Sequence, residues 1–244
     1  MDDLFSLPTS EPHRLTEKLS YYPHFLSSTQ SKTLFDVLLN GLVWEQPRLK
    51  VYGREVSTPR LVSYVADPGV TYTYSHYRHE PQAWPTELAE LKHRVEAVAG
   101  VRFNSALCNY YRNGDDYMGW HSDAEPALGQ NPCVASVSLG AQRDFKVRPI
   151  PLKRTLPEGD ARSQPSSFRS NPTARNNHAN RSNHIDRNNL AEDHARGGSI
   201  PLSDGGLLLM EPGFQSMYQH SLPRRVGVTA PRLNITFRNI FPAM

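Results

Sequence analysis

The run Arg232-Leu233-Asn234-Ile235-Thr236-Phe237-Arg238 constrains the fold of this chain more than any other stretch. Side chains along a β-strand alternate between the two faces of its sheet. Arg232, Asn234, Thr236 and Arg238 therefore share one face, and Leu233, Ile235 and Phe237 share the other. The apolar face asks for a core. The polar face carries two guanidinium groups, and burying a charge is costly unless an anion meets it. Such a strand either lies at a solvated surface or lines a pocket for an anionic ligand, and a dicarboxylate would supply both counter-charges.

The rest of the chain frames that strand. From Val101 onward, strand-like runs recur near 103–112, 116–121, 133–139, 143–149, 206–210, 214–220 and 232–240, separated by turn residues. Short strands at this spacing suggest a sandwich or open barrel. Two helices are expected ahead of them. Ser27, Ser28 and Thr29 offer an N-cap before Leu34, Val37, Leu38 and Leu42. Leu88, Leu91, Val95 and Val98 form a stripe that begins near Pro85 and stops at Gly100. Between the helices, Val51 to Tyr77 reads as extended structure with turns. Residues 1–17 read as a flexible lead-in to a domain over 18–244.

Residues 152–199 break the rhythm. Rich in Asn, Ser and Arg, with Phe168 as the lone aromatic, the segment lacks the apolar surface to offset chain entropy and is expected to be a disordered insertion. Its His178, His184 and His194 show no ligand spacing. The insertion accounts for the low hydrophobic content of 38% across 244 residues. It also carries the net charge. Of the 27 basic and 24 acidic residues, 8 and 5 fall between Pro151 and Ser199, which leaves 19 of each elsewhere. Charge alone therefore does not argue for a nucleic-acid partner. No apolar run approaches the roughly 18 residues of a membrane span, and the start shows no secretory signal. Cys108 and Cys133 cannot form a disulfide framework, so a reducing interior is the default compartment.

The chemistry gathers at Trp120-His121-Ser122-Asp123. In a strand, His121 and Asp123 project to the same side. Joined by a distant second imidazole, they would make the facial triad of non-haem Fe(II) oxygenases, which leaves positions open for a bidentate 2-oxo acid and O2. His-x-Asp alone is common by chance. His220, at a strand end twelve residues before Arg232, offers the second imidazole. A zinc site could use the same ligands but would leave Arg232 and Arg238 without a reason.

Leu107-Cys108-Asn109-Tyr110-Tyr111-Arg112, Trp120-His121-Ser122-Asp123, Ala135-Ser136-Val137-Ser138-Leu139-Gly140-Ala141 and Pro231 to Arg238, taken in order, resemble the AlkB dioxygenase family. The resemblance covers roughly Leu42 to Pro242 outside the insertion. It implies a mainly β (α+β) fold: a double-stranded β-helix, or jelly-roll, core with flanking helices and an N-terminal nucleotide-recognition lid over 47–80. It implies Fe(II) held by His121, Asp123 and His220, with 2-oxoglutarate as co-substrate and O2 as oxidant. Arg232 would pair with the distal carboxylate, helped by Tyr111. Arg238 and Asn109 would lie near the carboxylate end that chelates the metal, and Asn234 and Thr236 would line the same pocket.

The front half bears on the substrate. Lys50-Val51-Tyr52-Gly53-Arg54, Thr58-Pro59-Arg60 and Gly69 to Ser75 resemble the lid of the eukaryotic AlkB homologues that repair DNA, as does His220-Ser221-Leu222-Pro223-Arg224-Arg225. The resemblance implies oxidative demethylation of bases such as 1-methyladenine and 3-methylcytosine in DNA by a monomer with no membrane partner, in the nucleus with the cytoplasm as a second compartment. Tyr52 would fill the gap left by a flipped base, and Arg60, Tyr72, Tyr74, Ser75 and Glu125 would border the base. A methyl on a base-pairing nitrogen is buried in a duplex, so the base must leave the stack. One departure stands out. Where the repair members carry a second acidic residue after the iron-binding Asp, this chain has Ala124, followed by Glu125, so either Glu125 compensates or the base preference differs. The same chemistry on RNA or protein, and a non-catalytic nucleic-acid-binding module, are the alternatives.

Overall fold

The chain passes repeatedly between two antiparallel sheets. The computed structural model describes residues 11–51, 54–74, 77–151 and 197–241. The larger sheet runs, in spatial order, β1 (His13–Thr16), β2 (Leu19–Tyr22), β13 (Leu207–Met210), β10 (Val134–Gly140), β15 (Arg232–Arg238), β8 (Ser105–Tyr111) and β5 (Leu61–Ala66). The smaller runs β12 (Gly198–Leu202), β11 (Arg143–Pro149), β14 (Tyr218–Leu222) and β9 (Met118–His121). The connections β8–β9, β10–β11, β12–β13 and β14–β15 each lead from one sheet to the other. This is the double-stranded β-helix that the family resemblance implied, and its two sheets answer to the sandwich that the strand spacing suggested. The hairpins β3 (Arg48–Val51)–β4 (Arg54–Ser57) and β6 (Tyr72–Tyr74)–β7 (Tyr77–His79) lie outside both sheets.

The larger sheet is buried on both faces, as the alternation in β15 requires. Leu233, Ile235 and Phe237 pack, with Val137, Leu139 and Leu207, against α1 (Ser28–Gly41) and α2 (Thr86–Ala99). The opposite face meets the smaller sheet through a second cluster in which Leu208 and Met210 contact Phe145, Val147 and Leu202. The polar residues of β15 look into the space between the sheets.

Local chemistry sets the helix ends. Ser27 caps α1 in a reciprocal box: its Oγ accepts from the Gln30 N–H, and Gln30 Oε1 accepts from the Ser27 N–H at 3.0 Å. Gly100 ends α2 in the left-handed conformation at φ +68°, where a Cβ would be strained. Gly140 turns β10 toward β11 at φ +82°, and a Cβ there would lie 2.6 Å from the Pro231 carbonyl oxygen. Its N–H donates to Asp204 Oδ1, and Ser31 Oγ donates to the same carboxylate oxygen.

Several expectations need correction. The lead-in expected over 1–17 already holds β1 at His13–Thr16, which pairs with β2 through a bulge. The stretch expected as a strand over 214–220 begins instead with one helical turn, α3 (Phe214–Met217), and the strand β14 runs on to Leu222. A single turn is too short to show helical periodicity. The insertion expected to end at Ser199 gives way earlier: Gly198 and Ser199 belong to β12, where Ser199 pairs with Lys146. Residues 152–196 lie outside the described residues, as does most of the lead-in. Cys108 and Cys133 are both free. No helix among the described residues is long and apolar enough to cross a membrane.

Phe237 is fully buried, parallel to Trp84 at 6.4 Å and tilted against Phe103 at 6.1 Å. Truncating Phe237→Ala should cost about 3–5 kcal/mol of unfolding free energy. Val226 is 97% exposed, so Val226→Ala should change stability by less than about 0.5 kcal/mol. Urea denaturation of both variants checks this, and similar losses from the two would contradict the packing described.

Candidate active site

The β9–β14 ladder sets His220 opposite His121, and Asp123 follows two residues after His121. One ligand atom from each of the three lies within 4.8 Å of the others. Both imidazoles are oriented for ligation. His121 Nδ1 lies 2.9 Å from the Gly119 carbonyl oxygen. Donation there leaves Nε2 bare, the usual way a ligating histidine has its tautomer set. His220 presents Nε2 to Asp123 Oδ2 at 3.7 Å. Gln215, on the unforeseen turn α3, accepts from the Asp123 N–H at 2.9 Å and so anchors the loop that carries the carboxylate.

Electrostatics suit a cation. His220 is buried against the rings of Phe145 and Phe214, at 5.1 and 6.1 Å. Burial first, then His121, pushes its pKa down to about 3, with Asp123 opposing. A neutral imidazole is the form that binds metal. Burial alone would raise the Asp123 carboxyl, but Arg238, His220 and His121 hold it below the usual carboxylate range. Arg238 Nη2 donates to Asp123 Oδ1 at 2.6 Å. Two imidazoles and one ionised carboxylate form a facial triad with room for further ligands.

The polar face of β15 continues the same pocket, which Arg232, Asn234, Thr236 and Arg238 line together with Asn109 and Tyr111. Arg232 is 2% exposed. Its Nη2 donates to Ser138 Oγ at 2.8 Å, and its guanidinium carbon lies 5.2 Å from the Tyr111 ring centre. Burial lowers its pKa to about 10, so it stays charged at neutral pH. Its Nε and Nη1 are buried with no hydrogen-bond partner among the described residues. A carboxylate is what those donors lack. The residues present therefore fit both Fe(II) and a 2-oxo dicarboxylate.

The substrate residues divide. Arg60 is buried and donates from Nε to Asn109 Oδ1 at 2.6 Å, which makes it part of the pocket wall. Tyr72 is 1% exposed, with its ring against His79 at 5.9 Å and Tyr64 at 5.7 Å. What it offers the site is its hydroxyl. That group accepts from Arg238 Nη1 at 3.1 Å and donates to Glu125 Oε1 at 3.2 Å. A polar chain thus runs from Asp123 through Arg238 and Tyr72 to Glu125. Glu125 Oε2 is buried with no hydrogen-bond partner among the described residues, while Ala124 is exposed. Tyr52, Ser75 and the side chain of Tyr74 lie outside the described residues.

Sequence reasoning missed Gln215, Phe145 and Arg143. Phe145 alternates with exposed Lys146 in β11, a usable signal. Arg143 is 2% exposed and donates to the carbonyls of Asn113, Asp116 and Pro223, tying the β8–β9 loop to the end of β14. Nothing in its local sequence marks it.

These features define an Fe(II)- and 2-oxo-acid-dependent oxygenase site, and comparison with known proteins agrees. The 2OG-Fe(II) oxygenase superfamily pattern matches residues 18–238, and the chain belongs to that superfamily and, within it, to the AlkB homologues. It is 34% identical over 225 residues to the DNA oxidative demethylase ALKBH2 of Arabidopsis thaliana, covering 90% of this chain and 65% of that protein. It is 32% identical over 226 residues to the human alpha-ketoglutarate-dependent dioxygenase alkB homolog 3, covering 92% and 67%. The chain thus spans about two thirds of the length of the relatives it matches. The solved structure titled "The structure of OsALKBH1" shares the fold, with a TM-score of 0.55 at 16% identity over 93% of this chain and 100% of that one.

In protein prepared without metal, His220 links stability to pH. Unfolded, its imidazole takes a proton near pH 6.5; folded, it takes one only near pH 3. Between those values the unfolded chain binds more protons, so stability falls as pH drops. The metal-free protein should lose stability below about pH 6.5 with a limiting slope of about 1.4 kcal/mol per pH unit from this group. His220→Asn should flatten that slope. Urea denaturation of metal-free protein across this range checks it, and identical slopes would contradict the burial of a neutral His220.

Proposed function

We propose that this chain removes alkyl groups oxidatively from nucleic-acid bases, of the 1-methyladenine and 3-methylcytosine kind, with DNA as the principal substrate. The observation that carries the reading is one pocket holding His121, Asp123 and His220 beside a buried Arg232 with unmet donors. A relative named as a DNA oxidative demethylase supports DNA. A non-catalytic binding module would have no need to keep the three ligands and both arginines together.

His121 Nε2, Asp123 and His220 Nε2 would hold the iron. When bound, Fe(II) with 2-oxoglutarate and O2 supplies the oxidising chemistry that hydroxylates the N-methyl carbon, while the co-substrate leaves as succinate and CO2. The hydroxymethylated base then loses formaldehyde and regains its pairing nitrogen. The chain's residues do the positioning. Arg232, steadied by Ser138 and Tyr111, fixes the distal carboxylate. Arg238 holds Asp123 ionised and in place, and through Tyr72 it also sets Glu125. On this reading the buried, unpartnered Oε2 of Glu125 would accept a hydrogen bond from the target base, the role that Ala124 cannot fill. The base is read out of the stack. The same reading takes the chain as a monomer acting in the nucleus, with the cytoplasm as a second compartment.

Succinate and formaldehyde released from oligonucleotides carrying 1-methyladenine or 3-methylcytosine test this, with methylated RNA and a methylated peptide as parallel arms. Formaldehyde should match succinate on DNA. Succinate without formaldehyde on every arm would discard base demethylation and keep the oxygenase, and a peptide preference would move the substrate class. Arg232→Leu should raise the KM for 2-oxoglutarate by roughly 10- to 100-fold, the loss expected for charge-assisted hydrogen bonds. An unchanged KM would remove Arg232 from the co-substrate site.

A further inference from the structure

Trp120, next in sequence to the ligand His121, is 40% exposed. Large apolar side chains open to solvent are few among the described residues, and Trp44 and Trp84 are both half-buried. Trp120 sits on β9, the edge strand of the smaller sheet. The Arg148 guanidinium carbon lies 4.3 Å from the centre of its ring. Arg148 is not a loose cation there. Its Nε and Nη2 both donate to Gln219 Oε1, at 3.0 and 2.7 Å, and Gln219 is its neighbour across the β11–β14 ladder. The sheet thus fixes a flat guanidinium against a flat indole on its outer face.

The surroundings are basic. Lys146, two residues before Arg148, is exposed on the same face because the intervening Val147 points into the core. The acid of that face in β11, Asp144, is paired with Arg225. Tyr117, just before β9, carries Arg224 at 4.8 Å from its ring centre. Trp120 with Arg148 and Tyr117 with Arg224 thus make two aromatic–guanidinium pairs on and just before β9, and exposed Lys146 shares the face of β11 that carries Arg148. Aromatic rings interleaved with cations are the means by which proteins hold unpaired bases and their phosphates without reading sequence. A duplex offers its base faces to no such ring, because they are already stacked.

We infer that Trp120, Arg148 and Lys146 form an accessory platform for single-stranded nucleic acid, on which an unpaired base next to the one in the pocket stacks while the cations meet its phosphates. Trp120 packs on Arg148 and stands outside the pocket that Met118 and His121 line, the register of β9 shifting between those two residues. The nucleic-acid strand accordingly wraps round the free edge of β9 between the two sites. The platform rests on the nucleic-acid reading of the pocket, but its test needs neither a methyl group nor turnover.

The metal-loaded full chain, kept anaerobic, is titrated with unmodified oligothymidylate, unmodified oligouridylate, and oligothymidylate annealed to its complement. Tryptophan emission and the anisotropy of labelled oligonucleotide are both read. At least one single strand should quench the emission, and the duplex should quench it far less. Trp120→Leu and Arg148→Glu should each raise the Kd for the single strand about tenfold, the loss expected for one base–aromatic stack. Arg148 is a surface residue, so its variant stands as a test even where Trp120→Leu disturbs β9; circular dichroism reports on folding. No quenching by either single strand, equal quenching by the duplex, or a wild-type Kd in folded Arg148→Glu would each overturn the platform. Loss of the platform with formaldehyde release intact would leave the demethylase reading standing, and quenching without formaldehyde release would do the reverse.

Discussion

The ion pair between Arg238 and Asp123 joins the two sheets at the point where the chemistry is to happen. Arg238 comes from the middle of the larger sheet, and Asp123 follows the edge strand of the smaller one. Both are almost fully buried. A buried pair of this kind contributes little net stability, because desolvation offsets the attraction, yet breaking it strands a charge. Its consequence is placement. With Asp123 held ionised, two imidazoles can converge on it, and the triad becomes a site for a cation. The charge of Arg232, deeper along the same strand face, then calls for an anion in the same pocket. Metal and dicarboxylate thus answer one electrostatic demand made by β15.

That demand explains the fold's unusual expense on polar groups. A central strand with arginines at both ends would be untenable in a plain sandwich. The helices cover the apolar face of the larger sheet, and the smaller sheet covers the polar one. The enclosed polar groups meet each other in ordered chains, such as Asp123–Arg238–Tyr72–Glu125 and Arg60–Asn109. Among the described residues, Arg232 Nε and Nη1 and Glu125 Oε2 are buried side-chain atoms without hydrogen-bond partners, and on the proposed reading they would receive the co-substrate and the base.

Much of this was legible in the sequence because strands announce themselves by a period of two. The alternation in β15 located both the core face and the pocket face; His-x-Asp named two ligands, but β9 ends at His121, and Asp123 stands on the loop beyond, held by Gln215 and Arg238 rather than by strand alternation. The pairing of His220 with His121 was not legible from spacing, since it depends on the β9–β14 register; the order of motifs along the chain supplied it. Elements too short to show a period escaped: the turn α3 and the strands β1 and β12. Gln215 and Arg143 escaped with them, because each acts through backbone groups distant in sequence. Tyr72 was foreseen as a residue of the site, but its ring is packed between Tyr64 and His79, and its hydroxyl is what reaches the polar network.

The central claim is that cation and dicarboxylate share one site built on β15. Calorimetric titration of 2-oxoglutarate into the anaerobic protein, with and without Mn(II) as a redox-silent stand-in for iron, tests it most directly. The account predicts a single co-substrate site per chain whose affinity rises sharply when the metal is bound, with the gain lost in Asp123→Ala. Equal affinity with and without metal, or binding that survives intact without Arg232, would contradict it.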